Sequence, residues 1–486
     1  MDQALDLALA LARDADRRGI AFAHWKSNHH LAAALAGDTD LDVLVAGKDL
    51  GTFRAVLALH GGLAMTSPDW GRYPGVEDWL LADPATMRFI HVHLHMVLAT
   101  GLKHVKHLAL PWTEQVLATQ RRDPGSNWPM PAAEAELLVL LIRIWAKMPP
   151  WRMLLAPRIP RHILDEWRWL ETQTTSAAVR DFAGKVGISA VPDLPLKSEV
   201  AIVGAARAAC REAVRHVRMG WGRALGLALK LNAERLAWRL LDRWRGPVRL
   251  RKTLHRGALV AIIGSDGSGK STVSGALDKW LRYKLDSHLV YMGSGDGRAG
   301  WLNGLRRKIS GRLRSARRKG SRAGPPQAEA QAGFAARVYR LLDLLLLRRK
   351  LRLLRRCRRL AEGGSVILLD RYPQDQFAAI SDGPRQRGGR GFAFAAKAEE
   401  RLLSEARRLG PDLVLRLRVD AATAHARKPD HDPGNIARKC EVIDALEFPQ
   451  SRVMTIDANA PLDRVLLAAK RAVWSFLLQE VAGDDR

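Results

Sequence analysis

Between residues 259 and 285 the chain runs from an apolar stretch, 259–263, through Gly264-Ser265-Asp266-Gly267-Ser268-Gly269-Lys270-Ser271-Thr272 into the helical spacing of 273–285. No other segment restricts the fold as tightly. The nine residues satisfy G-x-x-x-x-G-K-[ST], and the strand–loop–helix setting separates a phosphate-cradling loop from a chance glycine turn. Gly264, Gly267 and Gly269 let the backbone curl until successive N–H groups converge on one anion. The helix that follows adds the positive end of its dipole. Lys270 supplies a point charge for the β- and γ-phosphates of ATP, and the Ser271 hydroxyl is placed to ligate Mg²⁺.

Four further apolar runs, 289–291, 366–369, 413–419 and 453–456, alternate with helical segments. Such alternation after a phosphate loop predicts an α/β P-loop NTPase fold, a parallel sheet with helices on both faces. Its ligands then lie beyond the carboxyl ends of the strands. Asp370-Arg371-Tyr372-Pro373 leaves the third strand at that edge. An acid there holds a Mg²⁺ shell, orients an acceptor oxygen or simply pairs with its neighbour, and an arginine clamps a phosphate with two hydrogen bonds. Asp382-Gly383-Pro384 follows in a loop. Arg427, Lys428, Arg438 and Lys439 share a stretch with Pro and Gly, the composition of a mobile lid or of a solvated charge run. Asp457 ends the last strand. Both Asp382 and Asp457 also suit loop or capping duty.

As a set, GSDGSGKST, LLDRYP at 368–373, PDLVLRLRVD at 411–420 and IDANAPLDRVLLAAKRAV at 456–473 resembles the thymidylate kinase family of P-loop kinases, over residues 255–480. The resemblance implies that Lys270 and Ser271 serve ATP and Mg²⁺. It also implies that Asp266 faces the acceptor, Arg371 binds the acceptor phosphate, and Arg427 and Lys428 lie at the lid. Where that family carries Arg-Glu-Pro-Gly after its second strand, this chain carries Tyr291-Met292-Gly293-Ser294-Gly295-Asp296-Gly297, and Gln374-Asp375-Gln376 follows the Asp-Arg-Tyr segment. These replacements resemble a thymidylate-kinase-like group of bacterial surface-polysaccharide loci. The implied reaction is transfer of the ATP γ-phosphoryl group to a nucleoside monophosphate, or to a sugar or polysaccharide intermediate. A non-enzymatic ATP sensor, or an N-terminal main activity, remains open.

Trp25-Lys26-Ser27-Asn28 precedes Gly37-Asp38-Thr39-Asp40-Leu41-Asp42 at the edge of a predicted strand, 41–45. Two carboxylates at i and i+2 share one strand face, as a two-metal site requires. The pattern resembles the nucleotidyltransferase fold, an α+β domain in which a polar turn precedes a D-x-D strand, with Asp40 and Asp42 as metal ligands. That resemblance implies a third carboxylate from a later strand. The candidate strand, 89–98, instead offers His91, His93 and His95. The imidazoles join the metal shell, form a separate metal site, mark a domain without transferase chemistry, or line the polar face of a half-buried strand.

The proline-rich segment 124–131 reads as a boundary. It divides the chain into a nucleotidyltransferase-like domain (1–125), a helical connector (126–250) and a kinase-like domain (251–486). Helical spacing covers 2–18, 132–147 and 198–245.

The formal net charge is +28, from 78 Lys and Arg against 50 Asp and Glu. Residues 1–125 hold 12 basic and 14 acidic residues, so the excess lies beyond them. Residues 306–359 hold 19 basic residues and two acids. This insert contacts nucleic-acid phosphates, meets an anionic membrane surface or lipid-linked acceptor, or forms solvated arginine-rich helices. It lacks the interleaved aromatics of a single-strand stacking platform. Three dispersed cysteines argue against a disulfide framework or zinc ribbon. With neither a signal-peptide pattern nor an uncharged run of about 18 residues, the expected compartment is the cytoplasm.

Overall fold

A computed structural model describes residues 4–148, 158–216, 218–245, 251–292, 326–377, 383–384 and 393–484. The chain forms two compact units, Met1–His255 and Arg256–Arg486. The glycine-rich segment 293–297, the basic cluster 306–322 and Asp382 lie outside the described residues.

In the first unit, α1 (Asp6–Arg17) buries Leu7, Ala8, Leu11, Ala12 and Ala15, which fall on one helical face. It is followed by β1 (Phe22–His24), α2 (Leu31–Leu35), β2 (Leu41–Val45), α3 (Leu50–Leu59), β3 (Leu63–Thr66), β4 (Val76–Ala82) and β5 (Phe89–His95). Then come β6 (Leu98–Thr100), β7 (Leu108–Leu110), α4 (Thr113–Leu117), β8 (Arg121–Arg122) and β9 (Pro129–Met130). The helices α5 (Ala133–Ala146), α6 (Arg161–Glu171), α7 (Ser176–Lys185), α8 (Glu199–Ala213) and α9 (Trp221–Arg245) lead to β10 (Thr253–Leu254).

The main sheet of this unit has the order β1-β2-β5-β4-β3-β10, and only the β2–β5 pair is parallel. Strand alternation sends Phe22, Val43, Ile90, Val92 and Leu94 into one core with α1 and Phe53 of α3. Ala23 and Leu44 point the other way, into a core with α5, α7 and α8. Both faces are therefore covered. Strand β5 is buried nearly throughout, not half-buried as its alternation suggested. The run 89–98 also splits, its end forming β6 in a separate two-stranded sheet. The proline-rich segment is a hairpin, β8–β9. Within it Asp123 accepts the Ser126 N–H at 2.7 Å, and Trp128 is buried edge-on to Phe22. Helix α5, buried nearly all round, has the pattern of an interior helix. The stretch 198–245 breaks into α8 and α9 around a short 3-10 turn at Val214–His216.

The second unit comprises β11 (Ala258–Gly264), α10 (Lys270–Leu281), β12 (Ser287–Tyr291), α11 (Pro326–Glu362), β13 (Val366–Asp370) and α12 (Ala393–Arg408). It continues with β14 (Leu413–Arg418), α13 (Ala421–Arg427), α14 (Pro433–Ala445), β15 (Arg452–Asp457) and α15 (Leu462–Asp484). All five expected strands form one parallel sheet, ordered β12-β13-β11-β14-β15. Leu259, Ala261 and Ile263 pack against Leu351, Leu354 and Cys357 of α11, Ala406 of α12 and Ile443 of α14. Helices α10 and α15 meet through Trp280 and Trp474. The protein is thus α/β, with a mixed sheet, a parallel sheet and many helices. No described helix is long and apolar enough to cross a membrane.

Gly257 enters β11 where the chain passes Ser365. A Cβ there would lie 2.0 Å from the Ser365 carbonyl oxygen. The three nearest atoms are all backbone of Gly364 and Ser365 and leave no flexible side chain to yield, so Gly257→Ala is expected to destabilise the second unit by about 2 kcal/mol, read as a lower midpoint in urea unfolding.

Candidate functional site

Strand β11 is buried at all seven positions between parallel partners, so the chain must turn sharply beyond Gly264. Gly267 has φ +85°, and a Cβ there would meet the Ala424 carbonyl oxygen at 2.4 Å. Gly269 caps α10 at φ +83°. Glycine takes both conformations without the Cβ penalty. The Ser268 hydroxyl closes the loop onto the Ser265 carbonyl at 2.8 Å. Lys270 Nζ also donates to that carbonyl, at 2.6 Å, and burial pulls its ammonium down to about 8.

In the sheet register Asp370 stands opposite Ile262 and Tyr291, which brings its carboxylate to the loop. Ser271 Oγ donates to Asp370 Oδ2 at 3.4 Å. Asp370 Oδ1 is buried with no hydrogen-bond partner among the described residues. The next residue, Arg371, has φ +76° and stacks its guanidinium 5.8 Å from the Tyr291 ring centre. Its Nε is likewise buried and unpartnered among the described residues.

Arg427, at the end of α13, donates to the carbonyls of Gly267 at 3.4 Å and Ala458 at 2.9 Å. From α14, Lys439 forms an ion pair with Asp266, and His431 Nδ1 lies 3.6 Å from the same carboxylate. Burial alone would raise the Asp266 carboxyl, but the Lys439 bond and charge outweigh it and hold it below its usual range. Cys440 Sγ donates to Ser265 Oγ at 3.3 Å. The segment with lid composition is thus partly helical. Asp432 caps α14 by accepting the Asn435 N–H at 2.8 Å, and Pro433 opens it. Lys428 is exposed. Asp457 does turn duty, accepting the Asn459 N–H at 2.9 Å. A cleft of about 650 Å³ at the carboxyl ends of β14 and β15 is lined by Arg418, Asp420, Cys440, Glu441 and Asp457, among others.

The first unit holds a second cluster. Register places Asp42 of β2 opposite His93 of β5, and His93 opposite Asp78 of β4. His93 Nδ1 lies 3.2 Å from Asp42 Oδ1 and its Nε2 lies 3.2 Å from Asp78 Oδ1. His95 Nε2 reaches Asp42 at 3.0 Å, and His91 Nδ1 reaches Asp40 at 2.7 Å. Two lysines close the cluster. Lys26 pairs with Asp42 at 2.7 Å, while Lys252 pairs with Asp78 and lies 3.0 Å from His91 Nε2. Burial alone would raise the carboxyls of Asp42 and Asp78, but the Lys26 charge with the His93 and His95 hydrogen bonds at Asp42, and the His91 and His93 hydrogen bonds with the Lys252 charge at Asp78, hold both far below the usual range. Burial pushes the His95 imidazole down to about 3. His93 goes the other way: its bonds to Asp42 and Asp78 outweigh burial and raise it. The donor atoms of Asp40, His91 and His93, and those of Asp42, His93 and His95, form two groups within 4.8 Å.

The polar turn beside this cluster is held from two helices. Ser27, at φ 56°, donates its N–H and hydroxyl to Glu166 of α6 at 3.1 and 3.2 Å. Asn28 donates its backbone and side-chain N–H groups to Glu136 of α5 at 3.1 and 2.6 Å. Arg143 pairs with Glu166 at 3.0 Å, both nearly fully buried.

No protein-family model matches the chain. Over 231 residues it is 31% identical to the Escherichia coli K12 protein named uncharacterized ATP-binding protein YghR, an alignment covering 44% of this chain and 86% of that protein. The YghR protein of Escherichia coli O6:H1 gives the same figures. The K12 protein named uncharacterized ATP-binding protein YghS is 30% identical over 225 residues, 45% of this chain and 93% of that one. The chain belongs to this family of ATP-binding proteins.

The structure brings Lys270, Ser271, Asp370, Arg371 and Arg427 to one sheet edge, and Asp40 and Asp42 to a separate cluster in the other unit. Sequence reasoning missed Asp78, Lys252, Glu136, Glu166 and Cys440. A period-2 reading of 76–82 gives Asp78 a strand position, but only the sheet order puts it beside His93.

Burial raises the Glu136 carboxyl from its usual 4.5 to about 7, against the Asn28 hydrogen bonds. Folding therefore binds a proton between those values, and the group's contribution to stability is lost as pH rises from 4.5 through 7. A shift of this size corresponds to about 3 kcal/mol. Urea unfolding at pH 4.5 and pH 8 should show wild type losing about that much more stability than Glu136→Gln.

Proposed function

We propose that the second unit is a P-loop phosphotransferase of the thymidylate kinase type, which transfers the γ-phosphoryl group of ATP to a phosphorylated acceptor, a nucleoside monophosphate. The observation that carries this reading is the unsatisfied Asp370 Oδ1, buried beside the Ser271 hydroxyl at the end of the glycine loop. A buried carboxylate oxygen without a partner is costly, and a cation bound between Asp370 and Ser271 removes the cost. Mg²⁺ fits this hard oxygen pair. When bound, it neutralises charge on the phosphates.

In this reading Lys270 leaves the Ser265 carbonyl for the phosphate oxygens, and the loop N–H groups hold the anion in place. Arg371, with an unpartnered Nε, clamps the acceptor phosphate. Arg427 bridges the loop and the Ala458 turn and closes over the nucleotide. The family's ATP-binding name supports the donor. An ADP-release assay with Mg²⁺ and ATP, against nucleoside monophosphates and sugar acceptors, tests the acceptor. Turnover is expected with a monophosphate and should fall at least about 100-fold in Lys270→Ala. Turnover only with a sugar moves the acceptor to the polysaccharide class, and ATP binding without turnover makes the protein a sensor.

The donor groups around His93 support a second reading, a metal-dependent nucleotidyltransferase-like site in the first unit. Mixed imidazole and carboxylate donors suit Mn²⁺ or Zn²⁺ better than Mg²⁺. Lys26 and Lys252 already neutralise this cluster, so an ion binds only by displacing them. Titration calorimetry of the full chain with Mn²⁺ is expected to show a site that is weakened roughly ten-fold or more in His93→Ala.

A further inference from the structure

Helix α9 is apolar on two sides, one of them covered over Ala224–Leu231 and the other open. Ala224 and Leu231 are buried, and Ala224, Leu227 and Ala228 pack with Leu102 and Val105 of the same unit. About 140° around the helix lies a second stripe, Leu225, Leu229, Leu236 and Leu240, 36%, 64%, 59% and 51% exposed. Ala233 and Ala237 fall in the same sector and are also exposed. From 225 to 240 the stripe is about 22 Å long. A surface helix normally turns a polar face outward.

The residues bordering the stripe identify what covers it. Arg239 flanks one side, Lys230 and Arg223 the other. Glu234 is the one acid between 221 and 240, and it pairs with Lys230 at 3.8 Å. Helices that pair with a second copy carry charges of opposite sign along the seam. Both borders here are basic and would face like charge across a two-fold axis. An anionic lipid surface fits both features at once. Leucines sink to the boundary between headgroups and acyl chains, while arginines and lysines meet lipid phosphates. The helix is not apolar enough to cross a membrane, so the geometry is that of a helix lying in the surface plane. We infer that α9 docks this protein on an anionic phospholipid surface through its outward leucine stripe. This inference is independent of the chemistry assigned to either candidate site.

The test is flotation of the full chain with vesicles of phosphatidylcholine alone, or of phosphatidylcholine mixed with phosphatidylglycerol. Binding is expected only to the mixed vesicles and should weaken as salt rises. The double variants Leu229→Glu/Leu236→Glu and Arg223→Glu/Arg239→Glu should each reduce partitioning by roughly ten-fold or more. Hydrogen exchange of the wild-type chain reads the site without any substitution: vesicles should protect 221–240. Absence of binding, unchanged binding in both variants, or protection confined to other segments overturns the proposal. So does a dimer, seen by light scattering, that Leu229→Glu/Leu236→Glu converts to a monomer, because a second copy is then the occupant.

Discussion

The second unit depends on β11. Its seven residues are buried and hydrogen-bonded to parallel strands on both sides. Parallel neighbours require crossover connections, so every strand leaves the sheet at the same edge. Gly264, Asp370, Arg418 and Asp457 therefore all end strands there, and the chemistry-bearing residues converge although 193 positions separate the first from the last. At the opposite edge one carboxylate secures the start of β11. Asp412 accepts the Leu259 N–H at 2.7 Å and an Arg358 hydrogen bond at 2.6 Å. Helix α10 then begins at Lys270, directly after a loop whose left-handed glycines aim its N–H groups outward.

The first unit rests on a different constraint, that a buried charge needs a partner. Asp42, Asp78, Glu136, Arg143 and Glu166 are all buried. Each is answered by a specific group: Lys26, Lys252, Asn28, or the other member of the Arg143–Glu166 pair. His93 is central because both of its ring nitrogens face carboxylates, which favours the imidazolium. Helix α5, which covers this sheet face, and α6, packed against α5, supply the glutamates that hold Asn28 and Ser27. The polar turn consequently depends on α5 and α6 as much as on its own strand.

Most of the second unit was legible in the sequence because its signals are local. An apolar run bounded by glycine or a helical segment marks each strand, and the loop motif fixes the position of the first. The acid–histidine cluster was only half legible. Asp40 and Asp42 announce themselves by spacing, but Asp78 and Lys252 reach the cluster through strand order, which no local pattern encodes. Strand β5 misled for the same reason. Alternating histidines resemble a solvated face, and here His91 and His95 are buried and His93 half-buried among the carboxylates of the neighbouring strands. Glu136 and Glu166 were invisible because each sits in an otherwise ordinary helical pattern and acts through contacts more than 100 residues away.

The charge of +28 overstates what is available to a partner, because several arginines serve the fold. The last carbonyls of a helix have no intrahelical donor and carry the negative end of its dipole. After α7, Arg215 donates to the carbonyls of Val186 and Gly187. After α12, Arg358 donates to those of Leu409 and Gly410. At the end of α14, Arg416 donates to those of Asp444 and Leu446. In each case one guanidinium satisfies two carbonyl oxygens at once, Arg416 through both of its terminal nitrogens and Arg215 and Arg358 through one, and the rigid planar group holds its donors in place better than a lysine ammonium on a flexible stem. The arginine richness of this chain is thus partly a way of finishing helices. Basic residues free to meet an anion are better sought where no carbonyl or carboxylate already holds them, as at the exposed Arg223 and Arg239 of α9.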